Sequence, residues 1–600
     1  MTTFGPSASP RSQASWPRWV QHGRAVGFML LVSLVLLGGL GSRLAYLQLL
    51  QGERNRTLAQ SNRIRVLPQP PVRGNLYDRN GKVLAGNQLS RAAYVWPLVQ
   101  RNPDWPQIRE RLVRILDPSQ PEIQQRIERA DPRSPKLIRI ARDLSPAQMT
   151  ALAEHRPQLE GVEIEVEQVR RYPHGKAAAH VLGYTAPITR GELIRRRDEG
   201  YRMDDVIGRM GIEAAFDRQL RGEWGGQRVA VNAAGNIERV LGEQPAQAGQ
   251  DITLTLDLGL QKAAEKALGT RKGAVVALDP SSGAVRAMVS HPSFDPNVFS
   301  GTVDSATWQR LQSKDNPFVN RAVRGFPPAS TFKLVTATAG LESPEFSPNT
   351  VLNTYPYITA HGLKFREWNG AGFGPLGFAG ALQNSSNTFF GQVGKRLGGE
   401  PLLRWAKTYG YGSPTGIALP SESSGLLPTH EWRQDNMDRP WGTGDAVNLA
   451  LGQGFTLATP LQVAAAFAVP ANGGDRVQPH LRQGADTIRR SIHIQPQHLQ
   501  LIRRGLRQVV QAGTGKALNV SELPAAAGKS GTAEVRGLAH AWFAGFAPFK
   551  DPEIVVVAFA EHSGGGGGSV AGPIVRKVMK AHFGVSDKKN GEGKPDSSSG

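Results

Sequence analysis

Three short groups of residues, in a fixed order, carry the chemistry that this chain offers: Ser330-Thr331-Phe332-Lys333, Ser385-Ser386-Asn387 and Lys529-Ser530-Gly531-Thr532. A serine hydroxyl is a weak nucleophile until a base takes its proton. A lysine three residues further along a helix presents its amine on the same side. That amine acts as a base only when uncharged, so the site must be partly desolvated, and a second cation, Lys529, must help to depress its pKa. The set describes acyl transfer through a serine ester and calls for no histidine, metal or cofactor. A lone Ser-x-x-Lys arises by chance in a chain of 600 residues. The weight lies in three groups, in sequence, at spacings that fit one domain.

Other signatures fail on inspection. Gly528-Lys529-Ser530 resembles the end of a phosphate loop, but the upstream glycine falls on Leu523. His430-Glu431 opens like a zinc-protease helix, but the second histidine falls on Gln434. There is no Gly-x-Ser-x-Gly elbow. With no cysteine, disulfide scaffolds, thiolate metal sites and cysteine nucleophiles are excluded.

The residues around the three groups say which elements hold them. Pro327 and Pro328 stop any earlier helix, and STFKLVTATAGLE reads as a new one. Ser330 then sits in a first turn, where free backbone N–H groups stabilise developing negative charge. Lys529 to Thr532 precede a strand-like run, AEVRGLAHAWFAGFAP, and are expected on the strand bordering a cleft, where a substrate backbone adds as another strand. Gly531 permits close approach, and Lys529, Ser530 and Thr532 supply a cation and hydroxyls for a terminal carboxylate. The N–H groups of Ser330 and Thr532 form the natural oxyanion pair. The plainer alternatives are an N-cap serine at 330, helix caps at Ser385 and Asn387, and a solvated Lys529.

Further out, GVEIEVEQVR (161–170) alternates like a half-buried strand, and Arg79–Gly81 marks a hairpin turn. DITLTLD opens a new unit, followed by an amphipathic helix, LGLQKAAEKAL, and by two strands joined through Asp-Pro-Ser-Ser-Gly. Gly564–Gly568 reads as a mobile loop between the strand EIVVVAFAE and a last helix. Helices and strands are grouped, not alternating, so the fold class is mixed α/β with a largely antiparallel sheet flanked by helices.

Ala25 to Ser42 carries no charge and is apolar all round, which fits one membrane-anchoring helix. Orientation is not settled by charge: Arg11, Arg18 and Arg24 precede it, while Arg54, Arg56, Arg63 and Arg65 follow. The net charge of +21 favours anionic surfaces, whether nucleic acid, lipid or envelope polymer, without choosing among them.

Together these residues resemble the class B penicillin-binding proteins, and within them the elongation type. The carriers in the N-terminal half are Arg73–Gly81, Arg171-Tyr172-Pro173, Ala179–Tyr184, Gly211-Ile212-Glu213 and Leu220-Arg221-Gly222. In the C-terminal half they are Phe326–Lys333, Gly452-Gln453-Gly454 and His540-Ala541-Trp542-Phe543. Ala329 stands where glycine is common in the family, and Ser530 where threonine is common.

The resemblance implies a tail at 1–23, a membrane helix at 24–46, a non-catalytic pedestal at 47–248, a transpeptidase domain at 249–582 and a tail at 583–600. It implies a D-Ala-D-Ala stem peptide as acyl donor and β-lactams as mimics that acylate Ser330. Lys333 is then the base, Ser385 the proton relay and Asn387 the residue orienting Lys333. It further implies an inside N-terminus, an external or periplasmic catalytic domain, and a RodA-type SEDS glycan polymerase as partner, with no nucleic acid. Two other readings use the same residues. One is a D,D-carboxypeptidase or β-lactamase, which leaves a pedestal of this size unexplained. The other is a scaffold that activates the polymerase, with catalysis secondary.

Overall fold

The runs GAVVAL and IVVVAFA have no polar residue to turn outward, so as strands they need cover on both faces. The computed structural model describes residues 18–51, 53, 64–116, 120–128, 137–203, 205–231, 237–301, 303–535 and 537–585. In it, β1 (Gly273–Leu278), β2 (Val285–His291), β3 (Ala527–Val535), β4 (Leu538–Ala547) and β5 (Ile554–Ala560) form one sheet. Its order is β2-β1-β5-β4-β3, and every neighbouring pair is antiparallel. The surrounding helices include α1 (Leu258–Leu268), α2 (Lys333–Leu341), α3 (Phe378–Asn384), α4 (Asn387–Leu397), α5 (Pro460–Asn472), α6 (Pro496–Gln511) and α7 (Gly572–His582).

Alternate side chains of each strand enter different apolar layers. Val275, Ala277, Val556 and Ala558 join Leu268 of α1 and Val575 of α7 on one side. Val276, Leu278, Val557 and Phe559 join Phe467 of α5 on the other. The residues that read as continuous apolar strands are therefore buried on both faces.

The run after Lys529-Ser530-Gly531-Thr532 is not one strand that the motif precedes. The motif lies inside β3, and the chain reverses near Gly537, at φ +77°, into β4. This makes β3 an edge strand, with its outer side open to an added strand. Elsewhere α1 and the Arg79–Gly81 turn joining Leu76–Tyr77 to Val83–Val95 appear as expected; Val162–Arg171 is a strand, but residues 163–166 are all exposed and do not alternate. DITLTLD keeps only a two-residue ladder, Ile252–Thr253, parallel to Leu76–Tyr77.

The N-terminal helix runs Arg18–Ala45, a wider turn continues to Leu50, and the span Val26–Leu50 has the length and composition to cross a membrane. Leu30, Leu34 and Leu37 lie bare on it. The described residues of Met1–Pro71 and Glu223–Gln247 form one compact unit, which also holds a three-stranded sheet of Ile64–Gln69, Gly225–Val231 and Ile237–Gln244. Val72–Gly222 and Ala248–Gly600 contribute the other unit. Residues 1–17 and 586–600 of the expected tails, and residues 54–63, lie outside the described residues.

In the larger unit, sequence runs far apart in the pedestal meet at one buried carboxylate. Glu213 is inaccessible; it accepts from Arg73 Nε at 2.8 Å, Arg170 Nε at 2.7 Å and the Tyr172 hydroxyl at 3.3 Å. The Gly74 N–H donates to the Leu220 carbonyl at 2.8 Å, tying in the neighbouring runs. Burial opposes ionisation of Glu213, but the two guanidinium groups hold its pKa below the usual carboxylate range. Its pKa falls on folding, so this stabilisation is full at neutral pH and is lost as the medium becomes acidic. Glu213→Ala leaves two buried arginines short of an anion and is expected to cost about 3–5 kcal/mol in denaturant unfolding at neutral pH.

Within the larger unit, residues 172–180 are held to residues 265–317 through polar contacts. His180 Nε2 lies 2.7 Å from the Pro317 carbonyl, Ala178 N–H donates to Glu265 at 2.9 Å, and Asn297 bonds both backbone groups of Tyr172 at 2.9 Å.

Candidate active site

The nucleophile turn begins with a kink. Ala329 has φ +50°, in the left-handed region that a residue with a Cβ enters at a cost of roughly 1–2 kcal/mol. The kink is held from outside, because Ala329 N–H donates to the Gly452 carbonyl at 2.8 Å. Gly452 itself has no room for a side chain, as a Cβ would stand 2.2 Å from the Ala329 oxygen. A 3-10 turn over Ala329–Phe332 then leads into α2. From Pro328 to Leu341, Ser330 is the one residue not fully buried. Ser330 is half-buried, while Lys333, three residues on, is inaccessible.

The other two groups close on Lys333. The Lys333 Nζ donates to the Ser385 carbonyl and to Asn387 Oδ1, both at 2.7 Å. The Lys529 Nζ donates to Ser385 Oγ at 2.7 Å and to the Ser530 carbonyl at 2.8 Å. Ser385 is thus held between two lysines, by its carbonyl on one side and its hydroxyl on the other.

Helix capping falls to the residue between the two candidates. Ser386 Oγ accepts from Phe389 N–H at the start of α4, while Ser385 ends α3 at φ +53°. Ser385 and Asn387 therefore keep their side-chain oxygens for the lysines. The Asn387 amide is oriented by its other end, where Nδ2 donates to the Arg366 carbonyl at 3.0 Å.

Burial lowers the Lys333 pKa to about 7, and the negative charge of Glu367 opposes that shift. Lys529 is lowered well below its usual value, by burial first and by the Lys333 charge second. The sequence suggests a partly desolvated site in which Lys529 depresses Lys333. Desolvation is instead complete and does most of the work on Lys333, whereas the repulsion is resolved on Lys529.

β3 comes close to the nucleophile turn at Gly531. A Cβ there would meet the Pro328 carbonyl at 3.2 Å and the Thr331 nitrogen at 3.3 Å. Ser530 Oγ and Thr514 Oγ1 are 2.6 Å apart, and Thr532 Oγ1 accepts from the Gly567 N–H at 3.1 Å. The glycine run does join β5 to α7, but its second half is not a loose loop. A Cβ on Gly567 would stand 2.2 Å from the Trp542 oxygen and 2.4 Å from the Gly531 oxygen, so glycine is what lets this segment lie on β3 and β4.

One participant is not visible in the sequence. Glu367 is 3% exposed. Its carboxylate accepts from Ser386 Oγ at 2.6 Å, Asn387 N–H at 2.8 Å, Thr388 N–H at 3.0 Å and Thr388 Oγ1 at 2.9 Å. Lys-Phe-Arg-Glu-Trp-Asn reads as a polar turn, and no spacing rule links it to a helix start twenty residues on.

Comparison with known proteins identifies the family. Residues 273–580 match the penicillin-binding protein transpeptidase domain, and residues 68–254 match the penicillin-binding protein dimerisation domain. The chain is 34% identical to the peptidoglycan D,D-transpeptidase MrdA of Acinetobacter baumannii over 92% of this chain and 86% of that one. It is 34% identical to MrdA of Escherichia coli K12 over 91% and 92%. Among solved structures, penicillin-binding protein PBP2 of Helicobacter pylori in complex with MreC superposes with a TM-score of 0.79. That match is 28% identical and covers 87% of this chain and 99% of the other. A structure described as coordinating polymerisation and crosslinking in a peptidoglycan synthase complex gives 0.71 at 32% identity, over 95% and 100%.

Proposed function

The chain belongs to the penicillin-binding protein family that joins a dimerisation domain to a transpeptidase domain, and we propose that it is a peptidoglycan D,D-transpeptidase acting through an acyl-enzyme on Ser330. The observation that carries the reading is the buried line Lys333–Ser385–Lys529, whose first member lies three residues after the partly exposed Ser330.

The neutral Lys333 amine takes the Ser330 proton as Oγ attacks the carbonyl carbon of the penultimate D-alanine. The oxyanion meets the N–H groups of Ser330 and Thr532, a type of contact worth about 100- to 1,000-fold in rate for each donor. When the C–N bond breaks, the departing amine takes a proton through the Ser385 hydroxyl, which Lys529 holds. Terminal D-alanine leaves, and an amine of a second stem peptide attacks the ester, frees Ser330 and completes the cross-link. Asn387 keeps the Lys333 amine aimed. The hydroxyls of Ser530 and Thr532 bind the donor carboxylate, because the Lys529 Nζ is turned inward to Ser385. A β-lactam ring opens at the same serine, and its amine stays tethered, so the ester persists.

The bare N-terminal helix anchors the protein in the membrane with its N-terminus inside and the catalytic domain outside. A RodA-type glycan polymerase is the partner that fits this placement. The test is labelling of the full-length protein in detergent with a fluorescent penicillin, followed by peptide mapping. A lasting adduct on the Ser330 peptide is expected. Labelling elsewhere, or rapid hydrolysis of the drug without an adduct, overturns the proposal.

A further inference from the structure

The strands Tyr357–Ala360 and Leu363–Arg366 pair as a ribbon that ends on Glu367, a residue the acyl-transfer scheme leaves without a part. Burying a carboxylate is expensive unless donors or cations surround it. Here most of the donors come from the start of α4, whose free N–H groups and positive end suit an anion, and the Trp368 N–H adds one more at 3.2 Å.

The residues on either side of Glu367 hold the same turn. The Arg366 carbonyl accepts from Asn387 Nδ2 at 3.0 Å, and the Trp368 indole N–H donates to the Asn384 carbonyl at 2.8 Å. Three consecutive residues thus grip positions 384, 386, 387 and 388, which bracket Ser385. Asn387 links the grip to the base, since its N–H donates to Glu367 while its Oδ1 accepts from Lys333.

We propose that Glu367 is a positioning residue of the acyl transfer, whose carboxylate fixes the Ser385–Asn387 turn so that the Ser385 carbonyl and Asn387 Oδ1 hold the Lys333 amine at Ser330. The inference rests on the acyl-transfer reading above. The carboxylate never touches substrate; it acts through Asn387 and through its charge.

The ionisable groups facing the Lys333 amine are Glu367, from the end of the ribbon, and Lys529, from β3. Glu367 works against the downward shift of Lys333, so removing its charge lowers the pKa of the base further. A purely structural role predicts loss of activity without that displacement.

The experiment measures penicillin acylation of the full-length protein against pH, separating the acylation rate constant from non-covalent affinity. Wild type, Glu367→Gln and Glu367→Asp are compared, with circular dichroism as a check on folding. The glutamine variant is expected to acylate roughly tenfold more slowly, with affinity changed less than twofold and the midpoint of the pH profile moved to lower pH. The aspartate variant keeps the charge and is expected to keep the wild-type midpoint, with a rate severalfold lower. A wild-type rate and midpoint in the glutamine variant overturn the inference, as does equal loss in both variants with no shift of midpoint. Should the glutamine variant not fold, a wild-type rate in the aspartate variant overturns it and a lowered rate supports it. Absence of any adduct on Ser330 in the wild type points instead to failure of the acyl-transfer reading.

Discussion

Ser330→Ala is expected to give no penicillin adduct and no cross-linked product, a fall to background of at least about 10⁴-fold, the scale of losing a nucleophile from a preorganised site. The fold should barely register the change. Ser330 is partly exposed and lies in a turn whose kink is fixed by the neighbouring Ala329 and Gly452. Its melting temperature should stay within a few degrees of wild type, since exposed substitutions outside special contacts stay within about 0.5 kcal/mol. This separation makes the variant useful. If it still supports glycan polymerisation by a partner while cross-linking stops, a scaffolding role and a catalytic role coexist in one chain. Residual acylation at a different residue would show that the assigned serine is not the nucleophile.

Lys333→Ala removes the base and is expected to slow acylation by about 10²–10⁴-fold, the range for a positioned general base. In the wild type the rate should rise with pH as Lys333 loses its proton, with a midpoint near its lowered pKa of about 7. The alanine variant loses that limb. A second consequence follows at Lys529, whose pKa is held down in part by the Lys333 charge. Without that charge, the pKa of Lys529 moves back up toward its usual value, while burial still holds it down. Stopped-flow acylation between pH 5 and pH 9 reads both effects. An unchanged limb in the alanine variant would remove Lys333 from the mechanism.

The parts legible in the sequence are those where a residue type can do only a few things. Ser330, Lys333 and Lys529 stand out because a nucleophile, an amine base and a second cation have few bland uses in that order. Apolar runs such as GAVVAL announced strands, since nothing else buries them so completely. Resolution failed where one residue moves everything. Ser385 and Ser386 are adjacent and chemically identical, and only the left-handed backbone at Ser385 decides which one caps α4 and which one faces the lysines.

The turn after Thr532 is hard to place because a lone Arg536-Gly537 between two strand-like runs is a weak mark of a reversal. Glu367 was invisible for a different reason. A buried carboxylate at the tip of a ribbon has the same sequence as a solvated one, and its partners are set by tertiary folding alone. The glycine run misled in the opposite direction. Repeated glycine reads as looseness, but at Gly567 it answers a lack of space.

The ribbon that carries Glu367 has only two strands, with Tyr357 and Leu363 open to water, whereas the main sheet has five strands and is covered on both faces. Two-stranded ribbons are marginal in water, and native proteins open such segments at free energies well below that of global unfolding. Thermal inactivation is thus expected to precede melting, as read by residual acylation against temperature beside hydrogen exchange. Warming first populates a species whose amides at 357–366 exchange with deuterium while those of the main sheet remain protected, and this species has an intact core but an idle serine.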